Sequence, residues 1–302
     1  MDVELYTHGD FDGIASAAIL YRFFYECGHE ITHIETLSYV DLDLQSWHSK
    51  TFSSICCVSD FMCPKTIVSA PFWVWADHHA SNSPPPDTQN GFIIYDPSAK
   101  SCAGLLVPLA PELEELGKWA DVIDSASYTS AHQALFGREA AMTVNFALTF
   151  ASKKCRISLI KNLAFRSLEE VASEPNIQKL ADSVRRRNYA ATEYLKTNAQ
   201  LIKGHYTVGI AFFPHSRIQS RYAILYTHPD IDFYIYTRPV KSKFSLSVAI
   251  NRFKHAHSPI PLGALLESIG GGGHNDIGAV TLQTKEEALT LSQMLATLLS
   301  NL

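Results

Sequence analysis

Phe72-Trp73-Val74-Trp75-Ala76-Asp77-His78-His79 runs from a stretch of large apolar residues straight into three polar side chains that can hold a metal. A short, unbroken apolar run bounded by polar residues reads as a buried strand. In a parallel α/β sheet, ligands gather outside the carboxyl ends of the strands, where this triplet would sit. Alone, adjacent histidines at a strand end are more often surface residues or caps than metal ligands. Other strand-like runs in the chain also end on acids, and that gives the triplet its weight.

Working outward, Val3 to Thr7 is a short strand, followed by the polar turn His8-Gly9-Asp10-Phe11-Asp12-Gly13. From Ile14 to Cys27 apolar residues recur at helical spacing, and Gly28 supplies a stop. Ile31 to Val40 alternates as a second strand, Phe52 to Ser59 is a buried strand ending on Asp60, and Phe92 to Tyr95 ends on Asp96. Ser83-Pro84-Pro85-Pro86-Asp87 is a loop. Strands alternating with helix-length segments predict an α/β class with a doubly wound, mainly parallel sheet. Residues 101–200 are mostly helical, with helices expected over Glu112 to Ala126, around Ala140 to Ala151, and over Ile177 to Leu201. A β-rich pattern follows: Tyr206 to Phe213, Tyr222 to Leu225, Phe233 to Tyr236, Phe244 to Ile250 and Ala279 to Leu282, with a last helix from Lys285. The expected division is a first domain over 1–150, a helical linker over 151–203 and a smaller α/β domain over 204–302.

A chain of 302 residues with net charge −5 has ample apolar content for a core and no excess of basic residues to coat long nucleic acid. No apolar run reaches the roughly 20 residues of a membrane span. The first residues lack a signal peptide's basic region and apolar stretch. The six cysteines, Cys27, Cys56, Cys57, Cys63, Cys102 and Cys155, show no zinc-type spacing and read as thiols of a reducing compartment. The expectation is a cytoplasmic protein.

His8, Asp10, Asp12, Asp60, Asp77, His78, His79 and Asp124 are the polar groups at these strand ends and in the segment Asp121-Val122-Ile123-Asp124-Ser125-Ala126. Carboxylates converging at one end of a sheet repel each other, and cations relieve that. Carboxylates with a few imidazoles and no thiolate suit Mn²⁺ or Mg²⁺, and so many donors exceed the needs of one ion. Two ions roughly 3.5–4 Å apart are the usual arrangement for phosphoester hydrolysis.

His8-x-Asp10-x-Asp12-Gly13, Asp60, Asp77-His78-His79 and Asp124-Ser125-Ala126-Ser127-Tyr128, in that order, resemble the successive motifs of the DHH phosphoesterase superfamily. Gly270-Gly271-Gly272-Gly273-His274 resembles the signature of its C-terminal companion domain. The superfamily includes RecJ-type exonucleases, nano-RNases, cyclic-dinucleotide phosphodiesterases and pyrophosphatases. The resemblance implies one metal on His8, Asp10 and Asp60, and a second on Asp12, Asp60, His78 and Asp124, with Mn²⁺ in both places. It also implies that His79 lies near the phosphate and that Asp77 orients the histidines or completes the shell. The loop between His8 and the acids is shorter than in nano-RNase-like members, which bears on His8. Asp121 and Asp124, three apart on a helix, compete for the fourth acid, and the residues after Asp124 match better.

The glycine run reads as a flexible loop or, with the resemblance, as backbone N–H groups approaching a phosphate beside His274. Asn251 and Arg252 end a strand, and Arg252 would clamp a phosphate. Asp96 reads as turn and cap chemistry, and Arg185-Arg186-Arg187 as a solvated helix face. His205, His215, His228, His255 and His257 have no metal-like spacing, and Tyr234, Tyr236 and Phe244 read as core first. The expected activity is metal-dependent hydrolysis of a phosphoester in a nucleotide or short single-stranded oligonucleotide, in the cleft between the two domains. Alternatives are a phosphatase acting on a nucleotide bisphosphate, pyrophosphate or polyphosphate, and a non-catalytic nucleotide or RNA sensor. A homodimer is a possible state, and no membrane is involved.

Overall fold

The computed structural model describes residues 1–39, 41–85, 89–214 and 220–302, so Val40, Pro86, Asp87 and His215 lie outside the described residues. The protein is α/β and divides into two compact units, Met1–Tyr128 with Arg138–Asp182, and Thr129–Gly137 with Ser183–Leu302.

In the first unit, β1 (Asp2–His8), α1 (Phe11–Glu26), β2 (Glu30–Leu37), α2 (Leu44–His48), β3 (Ile55–Ser59), β4 (Phe72–Asp77) and β5 (Gly91–Tyr95) follow one another. The five strands pair in parallel in the order β2-β1-β3-β4-β5. Side chains alternate between the faces of a strand. Val3, Leu5, Ile55, Cys57, Val74 and Ala76 accordingly join one buried cluster, and Tyr6, Cys56, Val58, Trp73 and Trp75 join the other. Both faces are covered, so the strands read as unbroken apolar runs. Trp73 and Trp75 are fully buried, each contributing roughly 2–3 kcal/mol of apolar transfer. Both neighbours of β1 follow it in sequence, β2 on one side and β3 with β4 and β5 on the other, so β1 and β3 flank the point where the winding reverses. Ligands collect at such a point.

α1 begins where Asp10 accepts a hydrogen bond from the Gly13 N–H at 3.1 Å. A side chain at Gly13 would place its Cβ 2.3 Å from the His8 carbonyl oxygen, so glycine is what lets the helix start against the strand end. Helices α3 (Cys102–Leu106) and α4 (Glu114–Asp124) come next. After α5 (Ala131–Phe136), which belongs to the second unit, come α6 (Ala140–Leu148), α7 (Lys153–Leu163) and α8 (Leu168–Ala172). The division between units falls inside α9 (Pro175–Asn198).

The second unit continues with β6 (Gln200–Lys203), β7 (Thr207–Phe212), α10 (Ala223–Thr227), β8 (Phe233–Val240), β9 (Lys243–Ile250), α11 (Leu262–Glu267), β10 (Gly272–His274), β11 (Ile277–Leu282) and α12 (Lys285–Ser300). Its mixed sheet has the order β10-β11-β9-β8-β7-β6. Phe233, Ile235, Leu246 and Val248 face a cluster with Leu262, Leu295 and Leu299. Tyr234, Tyr236 and Ala249 face the other side, among Leu195, Phe213 and Ile224.

Three expectations are corrected. Tyr222 to Leu225 contributes to helix α10, because its contiguous buried residues Ala223, Ile224 and Leu225 carry no period-2 signal. The long helix stops at Asn198, and Gln200–Lys203 pairs antiparallel with β7. The glycine run is no free loop: Gly272–His274 forms β10 against β11. Among the described residues no helix is long and apolar enough to cross a membrane.

Candidate metal centre

The carboxyl ends of β1, β3 and β4 and the end of α4 deliver their polar side chains to one place. His8 Nδ1 lies 2.8 Å from Asp10 Oδ2 and 3.8 Å from Asp60 Oδ2. His78 Nε2 lies 3.5 Å from Asp12 Oδ2, 3.7 Å from Asp60 Oδ1 and 3.4 Å from Asp124 Oδ2. His79 Nδ1 is 3.7 Å from Asp60 Oδ1. Asp60 stands at the centre, and its backbone takes a left-handed φ of 53°, a conformation that aspartate tolerates better than most residues. Its N–H donates to the Ala76 carbonyl at 2.9 Å, which ties the ends of β3 and β4 together.

The surroundings fix each group. Asp77, fully buried, accepts hydrogen bonds from the backbone N–H groups of His78 and His79, at 2.8 and 3.1 Å, and from Asn82 Nδ2. It also holds His79 Nδ1 at 2.8 Å. That bond, together with the Asp77 charge, holds the half-buried His79 above the usual imidazole range. The two oxygens of Asp12 accept the N–H groups of Cys102 and Ala103, each at 2.7 Å, at the start of α3. His78 Nδ1 lies 3.2 Å from the Ala99 carbonyl oxygen. A carbonyl only accepts, so Nδ1 carries a proton there, and the ring turns its Nε2 inward to the acids.

Both carboxylate oxygens of Asp60 and the Nε2 of His78 are buried without a hydrogen-bond partner. Burial, followed by the charges of Asp12, Asp10, Asp124 and Asp77, drives the Asp60 carboxyl well above the ordinary range. Burial and the Asp10 charge likewise push Asp12 up to about 8. Buried polar groups are otherwise almost always paired, and these are arranged for a cation. His8, Asp10 and Asp60 form one set of converging donors, Asp12, His78 and Asp124 a second, and Asp60, His78 and His79 a third. Oxygen and imidazole donors without thiolate fit Mn²⁺ or Mg²⁺.

Asp121 and Asp124 separate cleanly. Asp121 Oδ1 accepts the Ser101 hydroxyl at 2.6 Å, whereas Asp124 stands beside His78. Ala99, Cys102 and Ala103 escaped sequence reasoning because they act through main-chain atoms.

No protein-family model matches the sequence, and no curated protein matches it at a significant level. Solved structures do match. A pGpG-specific phosphodiesterase, PggH from Vibrio cholerae, superposes with a TM-score of 0.73 at 19% identity, over 98% of both chains. The exonuclease RecJ bound to manganese matches with a TM-score of 0.58 at 11% identity, over 98% of this chain and 89% of that one. An exopolyphosphatase-related protein from Bacteroides fragilis gives 0.54 at 14%, over 97% and 90%. The fold is the one these proteins share with a DHH-domain protein that matches with a TM-score of 0.58 at 10% identity.

The second unit of this DHH fold carries the remaining candidates. Asn251 is buried and committed internally: Nδ2 donates to the carbonyls of Pro229 and Ile231, each at 2.9 Å, and Oδ1 accepts the Phe253 N–H at 3.1 Å. Its amide fixes the turn that presents the exposed Arg252. Gly271 and Gly273 pack against β11, where a Cβ would fall 2.4 Å from the Ala279 oxygen and 2.3 Å from the Ile277 oxygen. Gly272 has open space, and His274 is exposed.

Proposed function

We propose that the chain is a divalent-metal-dependent phosphohydrolase that cleaves phosphoester bonds of a nucleotide or short single-stranded oligonucleotide, as a phosphodiesterase or exonuclease does. The observation that carries this reading is Asp60, buried among acids with neither oxygen hydrogen-bonded, beside the inward Nε2 of His78. His8, Asp10 and Asp60 would hold one ion, Asp12, Asp60, His78 and Asp124 the other, with Mn²⁺ favoured and Mg²⁺ the substitute. Bound there, the ions would acidify water and neutralise charge on the phosphoryl oxygens.

The protein's own groups have separate tasks. Asp77 fixes both histidines. His79, whose imidazole Asp77 holds above its usual range, is placed to meet a phosphoryl oxygen. Arg252, the glycine run at Gly272 and Gly273, and His274 are assigned to a further phosphate of the substrate, with Asn251 holding Arg252 in place and the Gly271 N–H anchoring the run on the Leu266 carbonyl at 2.9 Å. The net charge of −5 favours a short substrate, because affinity for long polymers leans on many phosphate contacts. The pGpG-specific enzyme of the same fold supports that choice. Six free cysteines, three of them buried, suit a cytoplasmic setting.

The test is turnover with Mn²⁺ on dinucleotides, cyclic dinucleotides, adenosine bisphosphate and polyphosphate. Release of mononucleotides that stops on chelation supports the proposal. Phosphate release alone would favour the phosphatase reading, and tight nucleotide binding with no turnover would favour a sensor.

A further inference from the structure

A second polar cavity lies within the first unit, on the β2 side of the metal centre. Its volume is about 350 Å³, and Thr36, Ser38, Asp41, Ser46, Trp47 and Arg156 are among its lining residues. Small-molecule sites span about 300–1,000 Å³. Two of its walls are unfinished: Thr36 Oγ1 and Arg156 Nε are buried without hydrogen-bond partners, and Thr36 is only 3% exposed. The cavity also reaches the centre. Leu37, on its wall, is the register partner of His8. A Cβ on Gly9, the residue between His8 and Asp10, would lie 3.2 Å from Arg156 Nη1.

The chemistry of the lining selects the occupant. Glu35, Asp41 and Asp43 balance Lys50, Lys153 and Arg156, so the wall is formally neutral and a bare phosphate gains little there. An apolar group would leave the Thr36 hydroxyl and the Arg156 N–H unpaired. A neutral group with both donors and acceptors satisfies the lining. Trp47, 4% exposed and donating its indole N–H to the Met62 carbonyl at 3.1 Å, adds a wall with no polar atom to spare. We infer that this cavity is the subsite for the nucleoside attached to the scissile phosphate, with Thr36 and Arg156 hydrogen-bonding the base or ribose. The inference rests on the phosphohydrolase reading, and it assigns selectivity for nucleotides over other phosphodiesters to residues outside the metal centre.

The test compares kcat/KM on a 5′-phosphorylated dinucleotide with that on bis(p-nitrophenyl) phosphate, which lacks a nucleoside. Ser46→Trp fills the cavity, and Thr36→Val removes the hydroxyl at constant shape. The dinucleotide-to-nitrophenyl ratio is expected to fall at least about tenfold in Ser46→Trp and about threefold in Thr36→Val. A ratio unchanged in both variants, with wild type turning over both substrates, overturns the inference and leaves the activity standing. If wild type hydrolyses neither substrate, the activity reading fails. Calorimetry with AMP in EDTA then decides the cavity: binding weakened about tenfold by Ser46→Trp supports it, and equal affinity overturns it.

Discussion

Asp60 and Asp232 are hidden almost equally well, at 1% and 7% exposure, yet they live in opposite electrostatic worlds. Asp232, just ahead of β8, accepts the Thr207 N–H at 2.7 Å, and its other oxygen meets Lys254 Nζ at 2.6 Å and His255 Nε2 at 2.7 Å. Burial works against its charge, but Lys254, the Thr207 N–H and His255 outweigh burial and hold the carboxyl below its ordinary range. Asp60 has no hydrogen bond on either oxygen, and burial together with Asp12, Asp10, Asp124 and Asp77 around it drives its carboxyl up. The second unit completes its buried acid with its own cations. The first unit leaves the place of the cation open, and that incompleteness is the functional signal.

The harshest test of the contrast is Asp60→Asn. Asparagine accepts the left-handed backbone, so the fold should hold while kcat/KM falls about a thousandfold. In EDTA the same variant should melt higher than wild type, because a buried uncompensated charge is gone. A lower melting temperature in EDTA would break the comparison. Next comes the pair Asp124→Asn and Asp121→Asn. The first should cost about a hundredfold in turnover. The second replaces the charged acceptor of the Ser101 hydroxyl with a neutral one, costs about 1 kcal/mol in urea unfolding, and keeps turnover within about tenfold of wild type.

The mildest test is pH. Asp12, near 8 when folded and about 4 when unfolded, contributes stability that is present below about 4 and lost as pH rises to about 8. Metal-free protein should therefore melt at a lower temperature at pH 8 than at pH 5, and Mn²⁺ should close that gap. Asp232, depressed when folded, has the opposite sign: its contribution is present above about 4 and fades as pH falls below. Asp232→Asn should cost about 1 kcal/mol at pH 7, since Lys254 is partly exposed and screened, and progressively less in acid.

Much of the first unit was legible because a strand covered on both faces leaves an unmistakable run, as at Trp73 to Ala76. Such runs end where the sheet presents ligands, so His8, Asp10, Asp12, Asp60 and His78 could be gathered from the sequence. Asp124 was less distinct, since Asp121 fits the same helix face, and the folded positions of Ser101 and His78 separate them. At Tyr222 to Leu225 a short buried apolar run looks the same in helix and strand. β6 was hidden by a helix-like continuation past Asn198. The nucleoside cavity left no trace, because Thr36 and Arg156 are unremarkable types joined only by folding.

The clamp on Asp12 reaches across 90 positions to Cys102, and Ala99 steadies His78 across 21. A ribosome-bound chain that has laid down the five strands of the first sheet but not yet α3 would therefore carry Asp12 and His78 without their braces, and would lack Asp124. Competence to capture a divalent ion should arrive only once α3 and α4 have emerged, and in one step, guarding the part-made protein from seizing an ion in the wrong geometry.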